Sequence, residues 1–182
     1  MRRTLTICNR QRAFRVDSRR LREITQALLE QLCPEQPFNL GICLIAAAEM
    51  TRLNETFLKH RGATDVLAFD YQASAGETSA RRTACSPLHG EIFVCLEVAA
   101  AQARRFRTTW PSELARYVTH GLLHLRGFDD LRPAQRRRMK REEARLLKQL
   151  SRRFELEKLS TGPDRTPGPD ISQVGVAGTK GG

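Results

Sequence analysis

The segment from His120 to Asp130 constrains this chain more than any other part of its sequence. His120 and His124 are four residues apart, so on a helix both imidazoles lie on one face and can bind a single ion. Gly127 is suited to end that helix in a left-handed conformation, after which the reversed chain can bring Asp130 back to the same ion. The segment therefore predicts one zinc per chain, held by three side chains, with a fourth position open to water.

Two alternatives at this segment bear on the chemistry. Apolar residues surround both histidines, so the pair can also belong to a helix that is merely buried, and Asp129 competes with Asp130 for the third place. The spacing favours Asp130 because it matches the ligand spacing of metzincin proteases. Those proteases carry a Glu directly after their first His as general base, whereas this chain has Gly121. The missing base argues against a metzincin-like peptidase.

The charge of the chain favours a polyanionic partner. Its 182 residues include 31 Lys and Arg against 20 Asp and Glu, a formal net charge of +11 at pH 7. This excess is typical of proteins that bind nucleic acid or an anionic surface, and no apolar run has the length of a membrane span. Basic residues are dense in the last predicted helix, at Arg136, Arg137, Arg138, Lys140 and Arg141. We expect this helix to present a positive face to a nucleic acid, and a merely solvated helix is the alternative, because Glu142 and Glu143 partly neutralise its charge.

The cysteines and the N-terminus indicate a cytoplasmic protein. The 5 cysteines are scattered through apolar segments without a Cys-x-x-Cys pair, which is typical of buried, reduced thiols. Arg2 and Arg3 are not followed by an apolar stretch of signal-peptide length. We therefore expect a cytoplasmic location.

Hydrophobic periodicity predicts strands that alternate with helices in a single domain. Strands are expected at residues 5–8, 39–46, 66–69 and 92–95, and a mobile loop at 72–87. Helices are expected to start at Asp17 or Ser18, to cover residues 50–58 and 98–106, and to begin again at Pro111 and Pro133. Residues 1–158 form the predicted domain, and the Gly- and Pro-rich residues 159–182 form a predicted disordered tail.

Three ordered blocks of the sequence resemble a known family. Residues 120–130 read His-Gly-Leu-Leu-His-Leu-Arg-Gly-Phe-Asp-Asp, residues 53–57 and 64–69 read Leu-Asn-Glu-Thr-Phe and Thr-Asp-Val-Leu-Ala-Phe, and residues 90–94 read Gly-Glu-Ile-Phe-Val. The blocks are similar to the patterns His-Gly-x-Leu-His-Leu-x-Gly-aromatic-x-His, Leu-Asn-x-x-Tyr, Pro-Thr-Asp-Val-Leu-Ser-Phe and Gly-Asp-Ile of the YbeY family. The likeness covers about residues 1–155.

The resemblance implies a fold and an activity. The fold would be α/β (α+β), a single domain in which a small mixed β-sheet is flanked by helices and zinc lies in a cleft. The activity would be that of a zinc-dependent, single-strand-specific endoribonuclease. Its partners would be single-stranded RNA, ribosomal RNA and the ribosome or ribosomal proteins, and its roles 16S rRNA 3′-end maturation and ribosome quality control. We expect no membrane association and no DNA specificity.

The chain departs from the family pattern at two places. The family commonly has an Arg after its Tyr, and this chain has Leu58, so Lys59 and Arg61 join His120 as candidate catalytic residues. A solvated helix end is the alternative role for either cation. Asp130 replaces the third His, and its negative charge would make zinc a weaker Lewis acid. These departures keep open a non-catalytic ribosome assembly factor in which zinc only stabilises the fold.

Overall fold

The described part of the chain, residues 3–59, 62–72 and 87–162 of a computed structural model, contains four strands and five α-helices. The strands are β1 (Arg3–Asn9), β2 (Phe38–Ile45), β3 (Val66–Asp70) and β4 (Leu88–Cys95). The helices are α1 (Ser18–Leu32), α2 (Ala47–Leu58), α3 (Leu96–Phe106), α4 (Trp110–Leu125) and α5 (Pro133–Arg153). A short 3-10 helix, Leu156–Leu159, follows α5.

The four strands form one mixed sheet in the order β1-β2-β4-β3. β1 pairs with β2 in parallel, β2 pairs with β4 in parallel, and β3 pairs with β4 in antiparallel orientation. Parallel neighbours need a long crossover, and α1 supplies it between β1 and β2. The predicted single-domain α+β fold with a small mixed sheet flanked by helices is confirmed.

One face of the sheet carries the main hydrophobic core, to which α1 and α4 contribute their apolar sides. Two glycines allow α4 to lie very close to this face. A Cβ atom at Gly121 would stand 2.9 Å from Cγ2 of Ile92, and one at Gly90 would stand 2.4 Å from the carbonyl oxygen of Phe69 and 2.9 Å from Cδ2 of Leu125. The absence of a side chain at both positions therefore permits the close approach of α4 to the sheet. A smaller core, to which Ile45, Met50 and Val98 belong, packs against the opposite face.

The element boundaries follow local chemistry. The Asp17 carboxylate accepts a hydrogen bond from the Arg20 N–H at 2.9 Å, so Asp17 caps α1 and the helix begins at Ser18. β4 begins at Leu88, four residues before the predicted start at Ile92, because the predicted strand includes only the uniformly apolar half of β4. The predicted loop at 72–87 lies mostly outside the described residues.

The chain continues to pack against the domain after α5. Leu159 is fully buried in the main core, the Asp17 N–H donates to its carbonyl oxygen, and the Thr161 N–H donates to the carbonyl oxygen of Arg15. The boundary predicted after residue 158 falls within this packed segment, and residues 163–182 lie outside the described residues.

The state of the cysteines and the character of the helices bear on two further expectations from the sequence. Its cysteines, Cys8, Cys33, Cys43 and Cys95, are free thiols, and two of them are fully buried. None of the described helices combines the length and the apolar character needed to cross a lipid bilayer.

Candidate metal centre

The two histidines of α4 face each other beside α5 and the turn that follows α4. The Nε2 atoms of His120 and His124 are 3.0 Å apart, and the two rings are nearly perpendicular, with centroids 4.6 Å apart. Both side chains are partly buried. The expected placement of both imidazoles on one face of a helix is therefore confirmed.

The turn after α4 returns the chain to the histidines. Gly127 has φ 81°, its N–H donates to the carbonyl oxygen of His124 at 2.8 Å, and the Phe128 N–H donates to the carbonyl oxygen of Leu123 at 3.0 Å. These two bonds form a Schellman motif, which needs a left-handed residue at the glycine position. The predicted helix stop at Gly127 is confirmed.

Asp130 is the carboxylate that this turn brings to the histidines. One ligand atom each from His120, His124 and Asp130 lies within 4.8 Å of the others. The neighbouring Asp129 instead accepts a hydrogen bond from the Leu131 N–H at 2.9 Å, which stabilises the turn. Two imidazole nitrogens and a carboxylate oxygen form a donor set that zinc commonly binds.

The outward nitrogens of both rings have acceptors of their own. Nδ1 of His120 is 2.9 Å from Oε2 of Glu143, and Nδ1 of His124 is 3.2 Å from the carbonyl oxygen of Phe128. A carbonyl oxygen only accepts, as does an ionised carboxylate, so both Nδ1 atoms carry the proton and both Nε2 atoms present lone pairs. Two lone pairs 3.0 Å apart are favourable only when a cation lies between them. The ring chemistry therefore fits a bound metal ion.

The electrostatics of the pair favour one positive charge at this point. Burial opposes charge on His120, but the hydrogen bond and charge of Glu143, with the charges of Asp65 and Asp130, raise its pKa above the ordinary value. Burial, and then the charge of His120, lower the pKa of His124. The carboxylates around the pair therefore favour positive charge at this point.

Gly121 leaves no room for a protease-like base beside His120. Its Cα faces the sheet, where even a Cβ would stand 2.9–3.2 Å from side-chain atoms of the fully buried Ile92. A glutamate at this position would point into the core and away from the two histidines. The packing thus agrees with the argument against a metzincin-like peptidase.

The comparisons with known proteins identify the family of the chain. A family model described as "Endoribonuclease YbeY" matches residues 6–151. The chain belongs to the endoribonuclease YbeY family. The match includes α4, the turn after it and nearly all of α5, and therefore every residue of the candidate metal centre.

Two YbeY relatives illustrate the degree of similarity. "Endoribonuclease YbeY" of an Anaeromyxobacter species is 38% identical over 129 residues, which are 71% of this chain and 62% of that protein. "Endoribonuclease YbeY" of Chlorobium luteolum is 40% identical over 101 residues, which are 56% of this chain and 66% of that protein. The chain thus aligns with slightly less than two thirds of the length of either relative.

A solved structure has a similar fold. The solution structure of TM1509 from Thermotoga maritima matches this chain with a TM-score of 0.57 at 22% sequence identity. The match covers 85% of this chain and 95% of that chain. At this identity the similarity concerns the fold alone.

The two cations predicted beside the site are not among its described contacts. Lys59 ends α2 in a left-handed conformation, with φ 56°, and is exposed. Arg61 lies outside the described residues. Their roles in a YbeY site therefore stay predictions.

Two α5 residues near the centre have partners that sequence reasoning missed. Glu143 bonds to His120, and the guanidinium carbon of Arg138 lies 5.1 Å from the ring centroid of Phe128. Glu143 has a signal in the sequence, because it follows the inward-facing Met139 by one helical turn. Arg138 has no such signal, because in the sequence it is one of several cations of α5.

Proposed function

We propose that this YbeY protein is a zinc-dependent endoribonuclease that cleaves single-stranded RNA. The observation that carries the proposal is the convergence of His120, His124 and Asp130 in a chain of the endoribonuclease YbeY family. When bound, zinc would supply Lewis acidity and a water molecule of lowered pKa. The side chains that would hold the ion come from α4 and from the turn after it.

The residues in and near the candidate metal centre would have different roles in RNA cleavage. His120 and His124 would hold the ion with their Nε2 atoms, and the Asp130 carboxylate would complete the ligand set. The exposed guanidinium of Arg138, held over the Phe128 ring, is available to neutralise a phosphate that enters the site. Lys59 and Arg61 stay candidates for the same role.

The natural RNA would be ribosomal. This part of the proposal rests on the family, and it includes processing of the 16S rRNA 3′ end, ribosome quality control and contact with the ribosome or its proteins. The charge of +11 supports an RNA partner, because phosphate contacts by Lys and Arg contribute most of non-specific affinity. A protein that acts on ribosomal RNA and the ribosome would work in the cytoplasm.

The decisive experiment compares the full chain with its His124→Ala variant. Both proteins are incubated with a single-stranded RNA, with the same sequence in a duplex and with casein, before and after treatment with a chelator. We expect cleavage of the single strand only, loss of cleavage with the chelator or with His124→Ala, and recovery of the parent activity with Zn²⁺. RNA binding should largely persist in the variant, because phosphate contacts are spread over many charges.

Other outcomes would replace the proposal. Cleavage that survives both the chelator and His124→Ala would place the nuclease activity elsewhere or in a contaminant. RNA binding without cleavage under any metal condition would favour the non-catalytic assembly factor. Degradation of casein would favour the peptidase.

A further inference from the structure

The two histidines of the candidate metal centre are oriented by different parts of the chain. His124 is bonded to the carbonyl oxygen of Phe128, only four residues away in the adjoining turn. His120 is bonded to Glu143, 23 residues away on α5. We propose that Glu143, on α5, is a positioning residue that holds the His120 ring in the orientation needed for metal binding. This inference rests on the zinc site proposed above.

Glu143 is held at this place by the packing of α5. Met139 and Leu146, one turn before and one turn after it, are both buried in the main core, so residue 143 also lies on the inward side of the helix. Its side chain is only 17% exposed, against 27% for His120. A carboxylate on the inward side of a helix is costly unless it has a partner, and His120 is that partner.

The hydrogen bond has a specific consequence for His120. The ionised carboxylate of Glu143 accepts only, so it selects the tautomer with the proton on Nδ1 and leaves the Nε2 lone pair for the metal. It also restricts rotation of the ring and strengthens the imidazole as a donor. Outer partners of this kind typically change metal affinity by about 10–100-fold when removed.

The neighbouring Glu142 provides a matched control. It carries the same charge one residue earlier on α5, but its carboxylate binds Arg145, at 2.6 and 3.0 Å, and it has no place in the histidine cluster. Loss of either glutamate changes the net charge of the chain equally. Only loss of Glu143 removes an acceptor from a metal-binding imidazole.

The test measures zinc affinity of the full-length chain by competition with a chromophoric chelator at one pH. We expect Glu143→Ala to weaken zinc binding by about 10–100-fold. Glu142→Ala should stay within about threefold of the parent. Glu143→Gln should fall between the parent and Glu143→Ala, because its amide oxygen can still accept from Nδ1 but carries no charge.

Melting temperatures with and without zinc separate positioning from a purely structural role. A positioning role reduces the rise in melting temperature that a fixed Zn²⁺ concentration produces, since that rise depends on affinity for the folded state. A structural role lowers the melting temperature of the metal-free protein and leaves the rise unchanged. If Glu143→Ala fails to fold, the isosteric Glu143→Gln supplies the same comparison against Glu142→Gln.

The outcomes distinguish this proposal from the proposed nuclease. Unchanged zinc affinity in Glu143→Ala, or an equal loss in Glu142→Ala, overturns the positioning role whether or not the parent cleaves RNA. If only Glu143→Ala loses zinc affinity and the parent does not cleave RNA, the positioning role is upheld and the nuclease is rejected.

Discussion

Single residues determine the geometry of the candidate metal centre, and some of them are recognisable in the sequence. The four-residue spacing of His120 and His124 and the left-handed Gly127 act within one helix and its turn, so local rules predict them correctly. Local rules do not explain why residue 121 must be glycine, because the side chain that leaves no room there is Ile92, on a strand far away in the sequence. They do not predict the role of Glu143 either, because its bond to His120 depends on how α5 packs against α4.

Adjacent aspartates give the residue-scale prediction. We expect Asp130→Ala to weaken zinc binding strongly, because it removes a ligand atom from the cluster with His120 and His124. Asp129→Ala should mainly destabilise the turn, by about 0.5–2 kcal/mol as for the removal of other side-chain caps, because the Leu131 N–H then has no carboxylate to bind. Elemental analysis and urea unfolding measure the two effects. The opposite ranking in zinc content would identify Asp129 as the ligand.

At the scale of elements, α5 contributes to both the metal centre and the proposed RNA-binding surface. Its inward side supplies Met139, Leu146 and Leu150 to the core and Glu143 to the metal centre. Its outward side carries exposed cations, among them Arg137, Lys140 and Arg141. Periodicity predicts the helix and its apolar side, but which charge orients a histidine and which faces solvent follows only from the packing against α4.

The outward side of α5 gives the element-scale prediction. Reversing Arg137 and Lys140 to Glu should weaken binding of a single-stranded RNA, because fewer phosphates are then neutralised by the protein. The salt dependence of binding should also decrease, by roughly 0.7 units of log–log slope for each phosphate that is no longer neutralised, as for other single strands. Zinc content should stay at the parent level, since neither residue belongs to the cluster with the histidines. Fluorescence anisotropy over a range of salt concentrations measures both RNA effects.

A double reversal elsewhere controls for overall charge. Arg105 and Arg107 are exposed at the end of α3, and changing both to Glu alters the net charge by the same amount. If this variant loses as much RNA affinity as the α5 variant, the α5 side is not the binding surface.

At the scale of the whole molecule, the sequence predicts the class of the fold better than it predicts the pairing of the strands or the end of the domain. The order of strands and helices is recognisable because each element has its own apolar period and its own stop signals. The pairing of β1, β2, β4 and β3 is a tertiary result that the periodicity does not contain. The end of the domain is equally tertiary, because a short polar segment looks dispensable until Leu159 is found in the core.

Two truncated forms of the chain test where the domain ends. A chain that stops after Lys158 lacks Leu159 and the bonds around it, and deleting such a buried leucine costs about 2–5 kcal/mol. For a domain of this size, that destabilisation lowers Tm by roughly 5–15 °C. A chain that stops after Gly162 keeps Leu159 in the core, so we expect its Tm and zinc content to equal those of the full chain. Equal Tm values for the two truncated chains would contradict the contribution of Leu159, whereas a lower Tm on stopping after Gly162 would mean that residues 163–182 stabilise the domain.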